Sequence, residues 1–129
     1  MTETFTILLV EDSTLMRSLI RDMLRPVQHL TVIEAANGAE ALDVLTRQRV
    51  DVVLSDWNMQ PMNGLQLLQT MRSDPALAST PFIMMSGEQT PQTISHSVAA
   101  GVAAFLTKPF GRDQLARALT RVITARSAA

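Results

Sequence analysis

Charged side chains follow the predicted strands of this sequence at three places. The apolar run Val50–Leu54 stops just before Asp56. An earlier apolar run ends in Glu11 and Asp12, and a later one runs into Lys108. A charged group at the end of a buried strand sits where open α/β sheets carry their chemistry. One aspartate alone would more often cap a helix or solvate a loop, so it is the repetition of apolar run and charge that favours a functional site.

The groups at these strand ends are suited to phosphoryl transfer. Three carboxylates brought together repel one another, which raises the pKa of at least one of them unless a cation intervenes. Oxygen ligands in a chain without cysteine favour Mg²⁺ or Mn²⁺ over zinc. Lys108 adds a point charge for a phosphate-type anion, and Ser86, after another apolar run, adds a hydroxyl. In such a site Asp56 would be the nucleophile that attacks phosphorus in line.

Five apolar runs alternate with five helical patterns along the chain. Strands are predicted at Thr6–Val10, Leu30–Ala35, Val50–Leu54, Pro81–Met85 and Ala103–Thr107. The fourth helix is predicted to begin at the Thr90-Pro91 cap and to end at Gly101. Because neighbouring parallel strands need a crossover helix, the pattern predicts an α/β fold with a parallel sheet covered on both faces.

The helix that follows the first strand is predicted to begin at a cap formed by Ser13 or Thr14. Its apolar side chains form one stripe at helical spacing: Leu15, Met16, Leu19, Ile20, Met23 and Leu24. Arg17 and Arg21 fall outside that stripe, so they are predicted to be exposed. An exposed basic helix beside the acidic strand ends is a candidate docking face for a kinase.

Length and composition bound the class of protein. The 129 residues amount to one domain, 1–129, and 11 Lys and Arg against 12 Asp and Glu give a net charge of −1. This charge provides no basic field for nucleic acid or an anionic membrane, and no apolar run reaches the roughly 18 residues that cross a bilayer. Cysteine is absent, which excludes disulfides and suits a cytoplasmic location. We therefore expect a cytoplasmic monomer with no nucleic-acid or membrane partner.

The strand-end residues resemble the signature of response-regulator receiver domains. The resemblance rests on Glu11-Asp12, Asp56, Ser86 and the Lys108–Phe110 segment, and it runs over essentially the whole chain. The segments SDWNM and AGVAAFLTKPF are similar to the single-domain chemotaxis regulators of this family. The resemblance implies a flavodoxin-like, doubly wound (βα)5 fold with strand order 2-1-3-4-5. It also implies two-component signal transduction, with chemotaxis as a candidate pathway.

The resemblance further implies a phosphoacceptor with a metal site. Asp56 would take a phosphoryl group from a histidine kinase, a phosphotransfer protein or a small phosphodonor, without the chain being an enzyme. Asp12, Asp56 and the main-chain carbonyl of Asn58 would bind Mg²⁺ or Mn²⁺, with Glu11 acting largely through water. Asn58 and Glu88 stand at the positions that tune dephosphorylation in this family, which predicts a short-lived phosphoryl group.

Contacts to the phosphoryl group and a conformational switch are also implied. Lys108 and Ser86 would contact the phosphoryl oxygens, and the peptide bond between Lys108 and Pro109 would be cis. On phosphorylation the Ser86 hydroxyl would move toward the new oxygens, and the ring of Phe105 would fill the space that it leaves. From the residues alone, an ordinary core aromatic is the better interpretation of Phe105, and it is the resemblance that favours the switch.

The sequence departs from the family pattern in the loop after Asp56. Gln60 stands where the family usually has proline, and Pro61 comes one place later, so the loop geometry is expected to differ. Asn63 with Gly64 replaces the commoner Asp-Gly, a pair that serves a turn equally well. None of these changes removes an acceptor, ligand or charge.

Two other functions remain open. An aspartate-nucleophile phosphatase also uses an acidic strand end and Mg²⁺. In such enzymes the nucleophile follows strand one within an Asp-x-Asp pattern, whereas strand one here ends in Glu11-Asp12. A receiver-like docking module would take no phosphate, and the complete acidic site argues against it. We therefore predict a phosphoacceptor ahead of a docking module and a hydrolase. With no room for an output domain, its expected targets are proteins: a flagellar motor component, a phosphotransfer protein or a kinase.

Overall fold

Strands and helices alternate along the chain as the apolar runs predict. The computed structural model describes residues 4–87 and 90–128. Its strands are β1 (Phe5–Val10), β2 (Leu30–Ala35), β3 (Val52–Asp56), β4 (Phe82–Ser86) and β5 (Ala104–Thr107). Its helices are α1 (Thr14–Leu24), α2 (Gly38–Arg47), α3 (Gly64–Ser73), α4 (Pro91–Ala100) and α5 (Arg112–Ala128). None of the described helices combines the length and the apolar content that a bilayer crossing requires.

The five strands form one parallel sheet in the order β2-β1-β3-β4-β5. This order confirms the fold predicted from the sequence and the strand order implied by the family resemblance. The chain passes from β1 outward to β2 and then returns to the other side of β1 to form β3. A crevice therefore opens at the carboxyl ends of β1 and β3, where open α/β sheets bind their ligands.

Two strands extend further than the apolar runs suggest. β3 runs from Val52 to Asp56 rather than from Val50 to Leu54, and Asp56 pairs with Met85 of β4. β4 likewise continues to Ser86, which pairs with Thr107 of β5. Both strands have a neighbour on each side, so the backbone pairing continues past the apolar residues. Asp56 and Ser86 are therefore held by the sheet itself rather than by loops.

The sheet carries an apolar layer on each face. One layer joins alternate strand residues such as Ile7 and Leu9 to α1 and α5, and the other joins Leu8 and Val10 to α2 and α3. Residues 7–10 are all fully buried, since successive side chains of a strand point to opposite faces. Burial on both faces explains why β1 reads as a continuous apolar run.

The first helix buries less of its apolar stripe than the sequence suggests. Ile20 and Leu24 lie in the core, but Leu15 and Leu19 are 71% and 45% exposed. The side of a helix that faces a sheet is only about 100° wide, and these two leucines lie outside it. Ser13 caps the helix, as predicted, by accepting a hydrogen bond from the Met16 amide.

The fourth helix buries little of its surface against the rest of the fold. Thr90 caps its start by accepting the Thr93 amide, and Gly101 ends it in the left-handed conformation at φ +94°, both as predicted. Ser97 is the buried residue of this helix, whereas Ile94 and Val98 are exposed. Thr93, Ile94 and Val98 also have low helix propensity, so α4 combines weak intrinsic helix formation with little burial.

Candidate functional site

Three carboxylates converge at the crevice between β1 and β3. Glu11 and Asp12 follow β1, and Asp56 ends β3, which is paired with β1. One carboxylate oxygen of each residue lies within 4.8 Å of the other two. Glu11 and Asp56 are buried while Asp12 is exposed, so the cluster is open to solvent on one side. The structure thus brings together the acidic residues that the strand-end pattern selects.

Lys108 supplies the positive charge of the site. Its ammonium nitrogen lies 2.9 Å from Asp56 Oδ1 and 3.4 Å from Glu11 Oε2. Its own amide donates to the carbonyl of Ser86 at 2.8 Å, which fixes the backbone at the end of β5. The following peptide bond, to Pro109, is cis, in agreement with the family resemblance. One ammonium is therefore shared by two buried carboxylates.

The cluster carries more negative charge than one ammonium can offset. Burial, and after it the Asp56 carboxylate, raise the pKa of the Glu11 carboxyl from its ordinary 4.5 to about 7, although the Lys108 ammonium opposes both effects. Near neutral pH, Glu11 is thus divided between its neutral and charged forms. A second cation at this position would favour the charged form and relieve the repulsion.

The backbone around Asp56 is closely packed against Gly64. The Trp57 amide donates to the Met85 carbonyl at 2.8 Å, and the Trp57 carbonyl accepts from the Gly64 amide at 2.9 Å. A Cβ atom on Gly64 would lie only 2.3 Å from the Asp56 carbonyl oxygen. Only glycine permits this approach, which folds the loop back beside the end of β3.

The remainder of that loop is fixed at the start of α3. Asn63 caps the helix by accepting from the Gln66 amide at 2.8 Å, and the Gln66 side chain accepts from the Asn63 amide at 3.0 Å. This reciprocal pair is a capping box, so Asn63 acts as a helix cap in addition to any turn preference. The Gln60–Pro61 peptide bond, at the departure from the family pattern, is cis.

A cavity of about 230 Å³ opens beside the carboxylates. It is lined by Asp12, Asn58, Met59, Gln60 and Asn63. One water molecule occupies roughly 30 Å³ of liquid, so the cavity has room for a hydrated cation or a small anion. It gives solvent access to the exposed side of the acidic cluster.

Comparison with known proteins identifies the family. Residues 7–120 match the family model described as the response regulator receiver domain. The chain belongs to this family. It is 36% identical over 118 residues to a chemotaxis protein CheY homologue of Campylobacter jejuni, a match that covers 91% of each chain.

Solved structures of receiver domains share the fold. The chemotaxis protein CheY4 of Vibrio cholerae is 32% identical, with a TM-score of 0.85 and coverage of 92% of this chain and 98% of that one. The phosphorylated cyanobacterial phytochrome response regulator RcpA is 27% identical, with a TM-score of 0.79 and coverage of 92% and 89%. The chain is thus a CheY-like response-regulator receiver domain, which places it in a signalling family.

The donor set of this receiver domain fits a hard divalent cation. The three clustered carboxylates can hold a metal ion, and Asn58 lies at the same cavity. Carboxylate and carbonyl oxygens are the ligands that Mg²⁺ and Mn²⁺ prefer.

The two residues of the implied switch lie on one face of the sheet. Ser86 is fully buried at the end of β4, two residues after Met84, and Met84 pairs with Phe105 of β5. Phe105 is half-buried and packs against the core on the side of α2 and α3. Glu88, the other predicted tuning residue, lies outside the described residues.

The sequence pattern did not reveal the role of Arg17 at this site. Arg17 was predicted to be exposed, but its guanidinium donates to the main-chain carbonyl of Glu11 at 2.6 Å and to Glu34 at 3.1 Å. Arg17 is the fourth residue of α1, within its first turn, and its side chain reaches back to the end of β1. The one sequence feature that bears on this contact is the acidic residue Glu34 on β2. It does not predict the contact, because β2 and β1 become neighbours only in the folded sheet.

Proposed function

We propose that this receiver domain is the phosphoacceptor of a two-component system and is phosphorylated on Asp56. The contact between Lys108 Nζ and Asp56 Oδ1 at 2.9 Å, inside a cluster of three carboxylates, supports this proposal most directly. An ammonium at this position can pass from the carboxylate to the oxygens of an incoming phosphoryl group. The relative RcpA, whose structure is of the phosphorylated protein, lends further support.

In the proposed reaction a carboxylate oxygen of Asp56 attacks the phosphorus atom of the donor. A new oxygen–phosphorus bond forms as the bond from phosphorus to the leaving group breaks, and the leaving group keeps that electron pair. Lys108 and Ser86 then contact the phosphoryl oxygens. Attack of water on the phosphorus atom then breaks the bond to the Asp56 oxygen, which restores the carboxylate and releases inorganic phosphate.

We propose Mg²⁺ or Mn²⁺ as the cofactor of this reaction. Asp12, Asp56 and the Asn58 main-chain carbonyl would hold the ion, with Glu11 acting largely through water. When bound, the ion would supply positive charge against the negative charge of the transferring group. The residues themselves provide the oxygen ligands and a cavity that admits solvent.

The same site would contain the switch and the timer of the signal. The Ser86 hydroxyl would move toward the phosphoryl oxygens, and Phe105 would move into the vacated space, as a packing change between two states. Asn58 and Glu88 would orient the water that removes the phosphoryl group. We expect the phosphorylated form to decay within minutes, and a decay that takes hours would contradict this assignment.

A histidine kinase or a phosphotransfer protein is the proposed donor, and a protein is the proposed target. Similarity to chemotaxis proteins points to the chemotaxis pathway, with a flagellar motor component as the target. In this role the chain is a cytoplasmic monomer that assists its own phosphorylation and dephosphorylation and is not an enzyme. Transfer from a panel of autophosphorylated kinases would identify the donor by its rate, and a chemotaxis kinase is expected to be fastest.

Intact mass after incubation with acetyl phosphate tests the central claim. Wild type with Mg²⁺ should gain the mass of one phosphoryl group, and the gain should be absent in Asp56→Asn and strongly reduced in EDTA. A gain that persists in Asp56→Asn would place the phosphoryl group elsewhere. No gain in wild type would favour the docking module that takes no phosphate.

A further inference from the structure

Arg17 connects α1 to the acidic end of β1. Its Nη1 atom donates to the main-chain carbonyl of Glu11 at 2.6 Å, and its Nε atom donates to Glu34 Oε1 at 3.1 Å. The Arg17 side chain is only 19% exposed. A guanidinium presents several donors in one rigid plane, so it can hold both acceptors at once.

Glu34 is itself well placed to orient that guanidinium. It lies on β2, where its Cα is paired with Leu9 of β1, two residues before Glu11. Its second oxygen accepts from Arg21 Nη1 at 2.7 Å. The Glu11 amide in turn donates to the Ala35 carbonyl at 3.0 Å. The backbone at Glu11 is therefore held on both sides, by β2 through its amide and by Arg17 through its carbonyl.

We propose that Arg17 is a positioning residue for the divalent cation and acts through the backbone of Glu11 and Asp12. This inference rests on the proposed metal site. The side chains of both residues enter the acidic cluster from the segment whose carbonyl Arg17 holds. Mg²⁺ demands near-ideal octahedral geometry, so its affinity depends on how firmly the ligands are held before it binds. Loss of an outer-shell partner typically costs 10–100-fold in metal affinity.

If Arg17 acted only through its charge, its removal would have the opposite effect on Mg²⁺ affinity. A cation near three carboxylates repels a second cation, so removal of that charge alone would strengthen metal binding. Positioning through the Glu11 carbonyl predicts weaker binding after the same substitution. The direction of the change in Mg²⁺ affinity therefore separates the two roles.

Arg21 provides a matched control. It shares Glu34 with Arg17 and carries the same charge, but in the described part of the chain its side chain bonds to Glu34 and not to the Glu11 carbonyl. Arg21→Met removes a charge from the same ion-pair group and leaves the Glu11 carbonyl bonded. Arg17→Lys keeps the charge but loses the planar fork.

The test is a Mg²⁺ titration followed by Trp57 fluorescence, with urea unfolding in EDTA measured in parallel. We expect the Kd for Mg²⁺ to rise roughly tenfold in Arg17→Met and several-fold in Arg17→Lys, and to change less than twofold in Arg21→Met. Titrations are made where all variants are fully folded, so a loss of stability alone would leave the Kd unchanged.

Three results would count against these ideas in different ways. Equal affinities in Arg17→Met and Arg21→Met, or tighter binding in Arg17→Met, would overturn the positioning role and leave the metal site intact. Wild-type affinity in Arg17→Lys would show that charge rather than the fork matters, which also overturns the inference. Absence of any Mg²⁺ response in wild type would reject the metal site itself, and with it both the proposed cofactor and this inference.

Discussion

Glu11 is buried beside a second carboxylate, and this environment couples folding to pH. Its pKa is about 7 in the folded chain against an ordinary 4.5, so the folded state binds more protons than the unfolded state between these values. The free energy of unfolding therefore falls as the pH rises from about 4.5 to about 7, and the loss is complete above that range.

Glu11→Gln should remove this dependence. The variant mimics the protonated form, so we expect it to unfold at higher urea than wild type at pH 8, by up to about 3 kcal/mol, and at similar urea at pH 4.5. The measurement is urea unfolding in EDTA at both values. Glu40→Gln, at an exposed carboxylate on α2, serves as the control and should leave the difference between pH values unchanged.

Lys108 competes with the proposed metal ion for the same carboxylates. We expect Lys108→Met to bind Mg²⁺ more tightly than wild type, because the ammonium 2.9 Å from Asp56 is gone. The same variant should be phosphorylated by acetyl phosphate at least tenfold more slowly, since the phosphoryl oxygens lose their cationic partner. Trp57 fluorescence gives the affinity and intact mass gives the rate. Weaker Mg²⁺ binding would show that Lys108 instead holds the carboxylates in place.

The main site residues were predictable from the sequence because each ends an apolar run. Asp56, Asp12 and Lys108 mark strand ends, and parallel strands bring their carboxyl ends to one edge of the sheet. Arg17 was not predictable in this way, since helical spacing places it outside the apolar stripe. Its partners are a backbone carbonyl and a residue of β2, and a linear pattern contains neither contact.

At the scale of elements, the position of α3 depends on the close approach of Gly64, its first residue, to the backbone of Asp56. A Cβ atom on Gly64 would lie 2.3 Å from the Asp56 carbonyl oxygen and 2.9 Å from Met84 Sδ. Gly64→Ala should therefore cost roughly 1–3 kcal/mol or more of unfolding free energy and weaken Mg²⁺ binding, because α3 or the end of β3 must shift. Gly111→Ala is the control, since its Cβ would meet nothing within 4 Å. Equal stability of the two variants in urea would contradict the argument.

Arg72 joins the end of α3 to two other parts of the fold. It donates to the carbonyls of Thr80 at 2.8 Å, Gly101 at 2.9 Å and Leu77 at 3.4 Å. Burial lowers the pKa of its guanidinium, which has carbonyls rather than a carboxylate as partners. We expect Arg72→Met to lower the unfolding free energy by about 2 kcal/mol and to speed amide exchange in α4.

The control for Arg72→Met is an exposed arginine that, in the described part of the chain, bonds only within its own helix. Arg47 is exposed and pairs with Asp43 one turn earlier on α2. Arg47→Met should change the stability by less than about 0.5 kcal/mol, since exposed pairs contribute little. Unchanged amide exchange of α4 in Arg72→Met would show that the helix is held by other contacts.

For the whole molecule, metal binding should appear as stability. If the acidic cluster binds Mg²⁺ only when folded, the ion should raise the unfolding free energy by about 2.7 kcal/mol at one hundred times its Kd. The rise should vanish in Asp12→Ala. Thermal unfolding with Mg²⁺ and with EDTA measures the effect, and a similar rise in both proteins would indicate binding away from the cluster.

The architecture was more predictable than the surface of the molecule. Doubly buried strands such as β1 and β3 reveal themselves as apolar runs, and a parallel sheet requires helices on both faces. Leu15 and Leu19 belong to the apolar stripe of α1 and yet are exposed, because helical spacing alone does not say how wide the covered face is. Strand order came from the family resemblance, since periodicity does not show which strands are neighbours.

The small buried surface of α4 limits the free energy that is needed to move this helix. Ser97 is the one residue that this helix buries. The C-terminal end of the helix is held by the Arg72 guanidinium, which donates to the Gly101 carbonyl. An element held by little apolar burial can tilt without a large loss of hydrophobic free energy. The same helix would resist sliding at Gly101, where a charged donor would be left without its acceptor. The described contacts thus favour a tilt of α4 about its C-terminal end over a movement along its axis.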